Sequence, residues 1–531
     1  MAIRTPRLLT PFLLLLAAPS VPGQTRPPVG LREKVAVQLV QLNFLASDRS
    51  GKPVTDLRLD EIEILEKGKP QKVAFLEPYY QVPAARSAQG TPPSSPSAAR
   101  SPSRWVLLLL DAYTSSPRTR VKSLEAIRTF VEQDLGPQDR AAIALFDGKL
   151  DFLQTFTGDR AALLQATSVP DSRLEHAAED RTRSVSDLLE GMEDCRSKGT
   201  QIANCAQRLA AEYENSRHRE ARDFVYALTA LTRALAPIPD LKAVVFFSDG
   251  FSREPFSDAF DAARASLGVE TATRLSPNAS GRLDRDLTEL VAAATAAQVS
   301  FFTIFPGGGT GHSSVSAEHG DIPSERRNPE NIDVYRRSEQ NFGQGLMELA
   351  RRTGGHSSQG NDVLKQLHGA WELSGGLYSA GYYLSDVRPS RSGEVKVRCQ
   401  RKGVIIETRR EAPIAHLEGG IQAGITTSSE VCESSRRSAH IEVSIDSQTL
   451  SYLPDSKEPY SDVSLYLSVL DPQTSTPLWE DYRYFRVAKS SEEPPRIVHT
   501  LRVPCRPLAI KAFLVDVGAG RRAELSADLP M

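Results

Sequence analysis

The chain has 531 residues, 40% of them hydrophobic and 24% charged, an ordinary globular composition with room for roughly two to four domains. Basic and acidic residues nearly cancel, leaving a formal net charge of −2. That balance argues against nucleic acid as a partner, which would call for a strongly basic surface.

The N-terminus reads MAIRTPRLLTPFLLLLAAPSVPGQT. Arg4 and Arg7 form a positive start, Leu13 to Ala18 a short apolar core, and small residues lead to a cleavage point after Gly23. This is the pattern of a secretory signal peptide over residues 1–23, so the mature chain is expected to be secreted or periplasmic. The competing reading, a membrane anchor, needs about 20 apolar residues; no run approaches that, and no stable membrane span is expected.

Residues 34–80 read as strands. KVAVQLVQLNFLAS alternates over part of its length, DRSGKP is a turn, and LDEIEILEKGKPQKVAFLEP reads as a hairpin around Lys67-Gly68. Asp60 and Glu61 read as solvated turn charges. Residues 81–103, rich in Pro, Ser and Ala, are expected to form a flexible linker.

From 104 to 370, apolar strands alternate with helical stretches. RWVLLLLD is a buried strand. RTRVKSLEAIRTFVEQDL is amphipathic, with Val121, Leu124, Ile127, Phe130 and Val131 on one face. AAIALFD, KAVVFFSDG and VSFFTIFP are further strands, and GDRAALLQAT, EARDFVYALTALTRALAPI, DLTELVAAATAAQ and GQGLMELARRTGG are helices. The pattern implies an α/β domain with a doubly wound, mostly parallel sheet covered on both faces. Residues 171–222, highly charged, read as a helical insertion, and the glycine-rich stretch after Phe305 as a long loop. The basic clusters around RRNPENIDVYRR and ELARR read as solvated faces or as a contact for an acidic surface.

Residues 380–411 return to strands and are expected to pair with 34–80 as a β-sandwich, with the α/β domain inserted between them. A linker-like stretch follows around 412–430, and the short alternating strands of 431–531 suggest a second, C-terminal β-sandwich.

Five cysteines suit an oxidising compartment. Cys195 and Cys205 could close a small loop; the alternative is two free thiols on a helical segment. Cys432 and Cys505 form a second candidate pair, leaving Cys399 free and buried, and the odd count also allows an intermolecular bridge. No C-x-x-C pair occurs, so a cysteine-based zinc site is not expected.

In open parallel sheets, ligands bind beyond the carboxyl ends of the strands. Asp111 ends one apolar strand and Asp249 follows another. On neighbouring strands the two carboxylates would repel, and a hard divalent cation completed by hydroxyls and water, Mg²⁺ or Mn²⁺, would relieve them. The other reading is a polar turn without metal, in which both aspartates cap helices or accept backbone hydrogen bonds.

LLLLDAYTSS and AVVFFSDGF resemble the first and last elements of a von Willebrand factor type A domain. The wider set, DRSGKPVTDLRLDEIEILEKGKPQKV, ELARRTGGHSSQGNDV and GYYLSDVRP with GEVKVRCQRKGVIIETRR, resembles bacterial secreted von Willebrand factor A-related proteins over roughly residues 35–412. The resemblance implies a metal-ion-dependent adhesion site of the form Asp-x-Ser-x-Ser. Asp111 matches its aspartate, Ser115 its second serine and Asp249 its late aspartate. Tyr113 stands where the first serine belongs, which makes the site degenerate. The family's threonine falls in the charged insertion, with Thr182 and Thr200 as candidates; Ser116, Ser248 or water could substitute.

No H-E-x-x-H, G-x-S-x-G or phosphate-loop motif occurs, so an enzyme is not expected. His312 and His319 share the loop after Phe305, where nothing positions them as a nucleophile's base, and Asn278 matches a glycosylation pattern. The functional expectation is a binding or adhesion module that engages a protein partner, with a metal-free structural scaffold as the alternative and a hydrolase as the third reading.

Overall fold

The computed structural model describes residues 38–79, 104–168, 181–277, 282–306, 329–384, 395–408, 420–432, 435–454, 458–489 and 494–529. The signal peptide, the 81–103 linker, Asn278, His312 and His319 lie outside these residues.

The chain begins with β1 (Gln38–Asp48), β2 (Ile62–Glu66), β3 (Lys69–Gln71) and β4 (Val73–Pro78). The turn between β2 and β3 holds Lys67 and Gly68 at φ 49° and 78°, the left-handed pair that a tight hairpin requires. The partners of these strands come from more than 300 residues downstream: β11 (Leu377–Leu384), β12 (Val395–Cys399) and β13 (Val404–Thr408). One antiparallel sheet runs β13-β1-β11-β4 and a second β12-β2-β3. Leu42, Phe44, Ile64, Tyr378, Ala380 and Val397 fill the space between them. Glu61 is not a free turn charge: it accepts two hydrogen bonds from Arg401, which hold its carboxyl down at about 2. Cys399 is only half-buried.

Between these two halves lies a mixed α/β unit. Its elements are β5 (Trp105–Asp111), α1 (Pro117–Gln133), β6 (Arg140–Phe146), β7 (Leu150–Thr157) and α2 (Arg160–Ala166). They continue with α3 (Arg181–Cys195), α4 (Ile202–Leu235), β8 (Lys242–Phe247), α5 (Pro255–Leu267), α6 (Val269–Ala272) and α7 (Arg282–Ala296). β9 (Val299–Phe305), α8 (Pro329–Thr353), β10 (Ser357–Gln359) and α9 (Val363–Ser374) complete it. The six-stranded sheet has the order β10-β9-β8-β5-β6-β7. All pairings are parallel except that of β7 with β6.

Alternation along β5 explains the two-sided burial. Leu107 and Leu109 face α4, α7 and α8 on one side; Val106, Leu108 and Leu110 face α1 and α9 on the other. Two sequence expectations are corrected here. Val121 is 51% exposed, and the inward position one residue earlier belongs to Arg120, at 2%. The helical segment does not end at 222: α4 runs unbroken for 34 residues, because Ala206, Ala210, Tyr213, Arg217, Ala221, Phe224, Leu228 and Leu235 form one continuous stripe. Its first half packs on α3, α5 and α8, and its second half on the sheet.

The last part is antiparallel: β14 (Ala423–Ser429), β15 (Arg436–Ile445), β16 (Tyr460–Leu470), β17 (Pro477–Ala488), β18 (Arg496–Pro504), β19 (Leu508–Asp516) and β20 (Arg521–Leu529). Sheets β14-β15-β18 and β17-β16-β19-β20 enclose a core that includes Ile441, Val443, Leu465, Leu467, Ile510 and Leu514. β14 falls inside the stretch read as a linker; it is a half-exposed strand of Thr and Ser, with little apolar signal.

This part docks at the amino ends of the sheet strands. Trp105, the first residue of β5, packs edge-on against Phe156 and Tyr466. The Tyr482 hydroxyl donates to the Ala234 carbonyl at 2.8 Å. The carboxyl ends of the strands lie at the opposite edge, about 20 Å away along β5.

Disulfides join Cys195 to Cys205 and Cys432 to Cys505. They point to a non-cytoplasmic protein, since thiols in the cytosol are kept reduced. Among the described residues, no helix is long and apolar enough to cross a membrane.

Candidate functional site

Asp111 closes β5, and β8 runs parallel beside it with Leu110 opposite Phe247. That register delivers Ser248 and Asp249 to the same edge as Asp111. The chain then turns at Gly250, where φ is +91° and an added Cβ would stand 2.3 Å from the Phe342 carbonyl oxygen. Only glycine fits both demands.

Asp111 is fully buried. Its Oδ1 accepts from the backbone N–H groups of Tyr113 at 2.9 Å and Thr114 at 2.8 Å. Its Oδ2 accepts from the Ser248 hydroxyl at 2.6 Å and from the Thr114 hydroxyl. Burial pushes its pKa up, and these four donors oppose that push.

Asp249 is bound to the start of α1. Ser116 caps that helix, its Oγ accepting from the Thr119 N–H, with Pro117 in the first turn. The Ser116 N–H donates to Asp249 Oδ2 at 2.8 Å, and the Thr119 hydroxyl donates to Oδ1 at 3.0 Å. The Asp249 N–H in turn donates to Ser115 Oγ at 3.1 Å. Two loops from neighbouring strands are thus braced to each other by reciprocal hydrogen bonds.

Beneath them lies Arg120. Its Nη1 donates to the carbonyls of Ala112 at 3.1 Å and Ser115 at 2.9 Å, the residues that flank the turn. Burial pulls its pKa down, while Asp111 and Asp249 push it back up.

The structure therefore brings Asp111, Ser115, Ser116, Ser248 and Asp249 together. It does not bring Thr200, which is exposed in the turn between Cys195 and Cys205. Thr182 lies in α3, and its side chain is outside the described residues. The threonines that touch the pair are Thr114 and Thr119. Sequence reasoning missed both, and Arg120 with them; the helix cap Ser116-Pro117-x-Thr119 was the available signal. The Tyr113 ring packs edge-on to Phe146 at 5.4 Å and over Gly148.

An octahedral Mg²⁺ or Mn²⁺ centre needs oxygen lone pairs and several waters. Here Ser115 Oγ accepts from Asp249 N–H, Ser248 Oγ from Gly250 N–H and Thr119 Oγ1 from the Ser116 hydroxyl. Asp111, Thr114, Ser115, Ser248, Thr119 and Asp249 are each at most 7% exposed. This donor set, with Tyr113 in the place of a short hydroxyl, does not fit such a centre as it stands.

A further buried carboxylate lies in the helical half of the unit. Asp258 accepts from the Tyr213 hydroxyl at 3.0 Å, the Ser338 hydroxyl at 3.0 Å and Asn341 Nδ2 at 2.6 Å. Burial raises its pKa from 3.8 to about 6.

No family model matches the sequence, and no curated protein matches it. Among solved structures, an aerotolerance-related membrane protein from Bacteroides fragilis is 12% identical, covering 51% of this chain and 98% of its own, with a TM-score of 0.25. The conserved hypothetical protein BatB from Bacteroides thetaiotaomicron is 14% identical, covering 51% and 97%, also at 0.25. A glycosyl hydrolase family 2 member from Bacteroides cellulosilyticus is 8% identical, covering 28% and 19%, at 0.16.

Proposed function

We propose that this chain is a secreted or periplasmic binding module, built like a von Willebrand factor type A domain flanked by two β-sandwiches, that engages a partner protein. The contact face is the rim over the buried loop pair: Tyr113 and Ser116, Arg253 and Glu254, and the exposed β6–β7 turn at Gly148 and Lys149. One observation carries the reading: two loops from adjacent parallel strands are cross-braced at the carboxyl edge, where open α/β sheets place ligands. The aromatic seam that docks the C-terminal sheets begins at Trp105 on the other edge and runs along β7 to Phe152, where Tyr484 packs at 4.9 Å. Among the described residues, the hydrogen-bonded network around the two carboxylates consists of Asp, Ser, Thr and Arg, a set that supports binding.

The test is site-specific photo-crosslinking in the producing cell. A photoreactive residue replaces Lys149, exposed in the turn beside Tyr113, or Val498, exposed on β18, in separate variants. The proposal expects a discrete protein adduct at Lys149 and none at Val498. Adducts at Val498 alone would favour a scaffold that assembles through its C-terminal sheets.

A further inference from the structure

We infer that the Arg120 guanidinium is the built-in counter-cation of the Asp111–Asp249 pair and takes the electrostatic place of a divalent metal ion. The inference concerns the isolated chain and does not depend on what the partner is.

Two carboxylates buried at one sheet edge are costly unless a positive charge and hydrogen bonds offset them. Arginine is almost never buried without such a reason. Arg120 is 2% exposed, sits one turn into α1 directly below the loop, and lies within coulombic reach of both Asp111 and Asp249. Its Nη1 bridges the Ala112 and Ser115 carbonyls, so the cation also fixes the turn that carries Asp111. Guanidinium suits this position because it is weakly hydrated, always charged and rich in directional donors.

Hydrogen bonding agrees. A loop that depends on a metal has oxygens pointing at a common centre. In this loop the hydroxyls of Thr114, Ser248 and Thr119 point at the carboxylates, and the backbone N–H groups of Tyr113, Thr114 and Ser116 take further carboxylate lone pairs. The turn is held closed by protein donors, with the positive charge supplied from below.

The test uses the mature full-length protein. Calorimetric titration of the wild type with MgCl₂ and MnCl₂ should give no saturable heat, and the melting temperature should be the same in EDTA and in millimolar Mg²⁺. Arg120→Met should melt several degrees lower. In that variant Mg²⁺ or Mn²⁺, but not Na⁺ at equal ionic strength, should raise the melting temperature. Adding Asp111→Asn to Arg120→Met should recover part of the loss, because the unbalanced charge is removed. Saturable Mg²⁺ binding by the wild type would overturn the inference, and that result needs no variant to fold. An Arg120→Met loss that Asp111→Asn leaves unchanged would also overturn it, since arginine would then act through packing alone.

Discussion

Asp258 allows a prediction with a calculable size. Its carboxyl is buried among Tyr213, Ser338 and Asn341, and desolvation lifts its pKa from 3.8 to about 6. A raised pKa means that the folded state binds the proton more tightly than the unfolded state. Stability from this group is therefore fully present below pH 3.8 and is lost as pH rises through about 6. The gap between the two values corresponds to roughly 3 kcal/mol. Asp258→Asn keeps the size and one acceptor oxygen, and Asn341 can turn its amide over to meet the new donor. The variant carries no charge at any pH and should escape the loss. Hydrogen exchange suits this test, because it reports local opening in a multidomain chain. Wild type and variant are compared at matched pH, so intrinsic exchange rates cancel. For peptides from α5 and from the Ser338–Asn341 turn of α8, the variant's protection relative to wild type should rise on the order of 100-fold between pH 4 and pH 7. A ratio that stays flat across that range would refute the reasoning and place Asp258 in contact with water.

Three further outcomes are expected. On a chain-entropy account, opening the Cys195–Cys205 bridge should cost about 3 kcal/mol and opening Cys432–Cys505 about 4, from sequence separations of 10 and 73; denaturant titration of the serine double variants measures both. Gly250→Ala should lose more than about 1 kcal/mol in thermal melts, because φ is +91° and its Cβ would meet the Phe342 carbonyl. Arg401→Gln should raise the Glu61 pKa from about 2 toward 4.5, followed by carboxyl NMR, with the Arg58 N–H still holding it below that value; in the wild type the pair's stabilisation is present above pH 4.5 and is lost as pH falls toward 2.

Much of the fold was legible because long apolar runs leave few choices. VLLLL and VVFF, buried on both faces, read as parallel strands, and the aspartates after them marked the edge where the site lies. The hairpin at Lys67-Gly68 was legible from its turn chemistry. β7 was not, because Asp151, Gln154 and the half-exposed residues around them blur the alternation of an edge strand. The length of α4 was hidden by its charges: Glu214, Arg217 and His218 are buried in the stripe that joins its two halves. Arg120 failed for a related reason. Periodicity assigns a charged residue to solvent, so the inward position went to Val121. A buried arginine becomes visible only when the carboxylates that balance it, one from β5 and one from the loop after β8, stand beside it in three dimensions.

The central claim is that the carboxyl-edge loops form a protein-binding face that works without an ion. The most direct measurement is the crosslinking pair at Lys149 and Val498, run with and without EDTA. The account predicts one discrete adduct at Lys149 of equal yield in both conditions, and none at Val498. An adduct confined to Val498, or a Lys149 adduct that vanishes on chelation and returns with Mg²⁺, would contradict it.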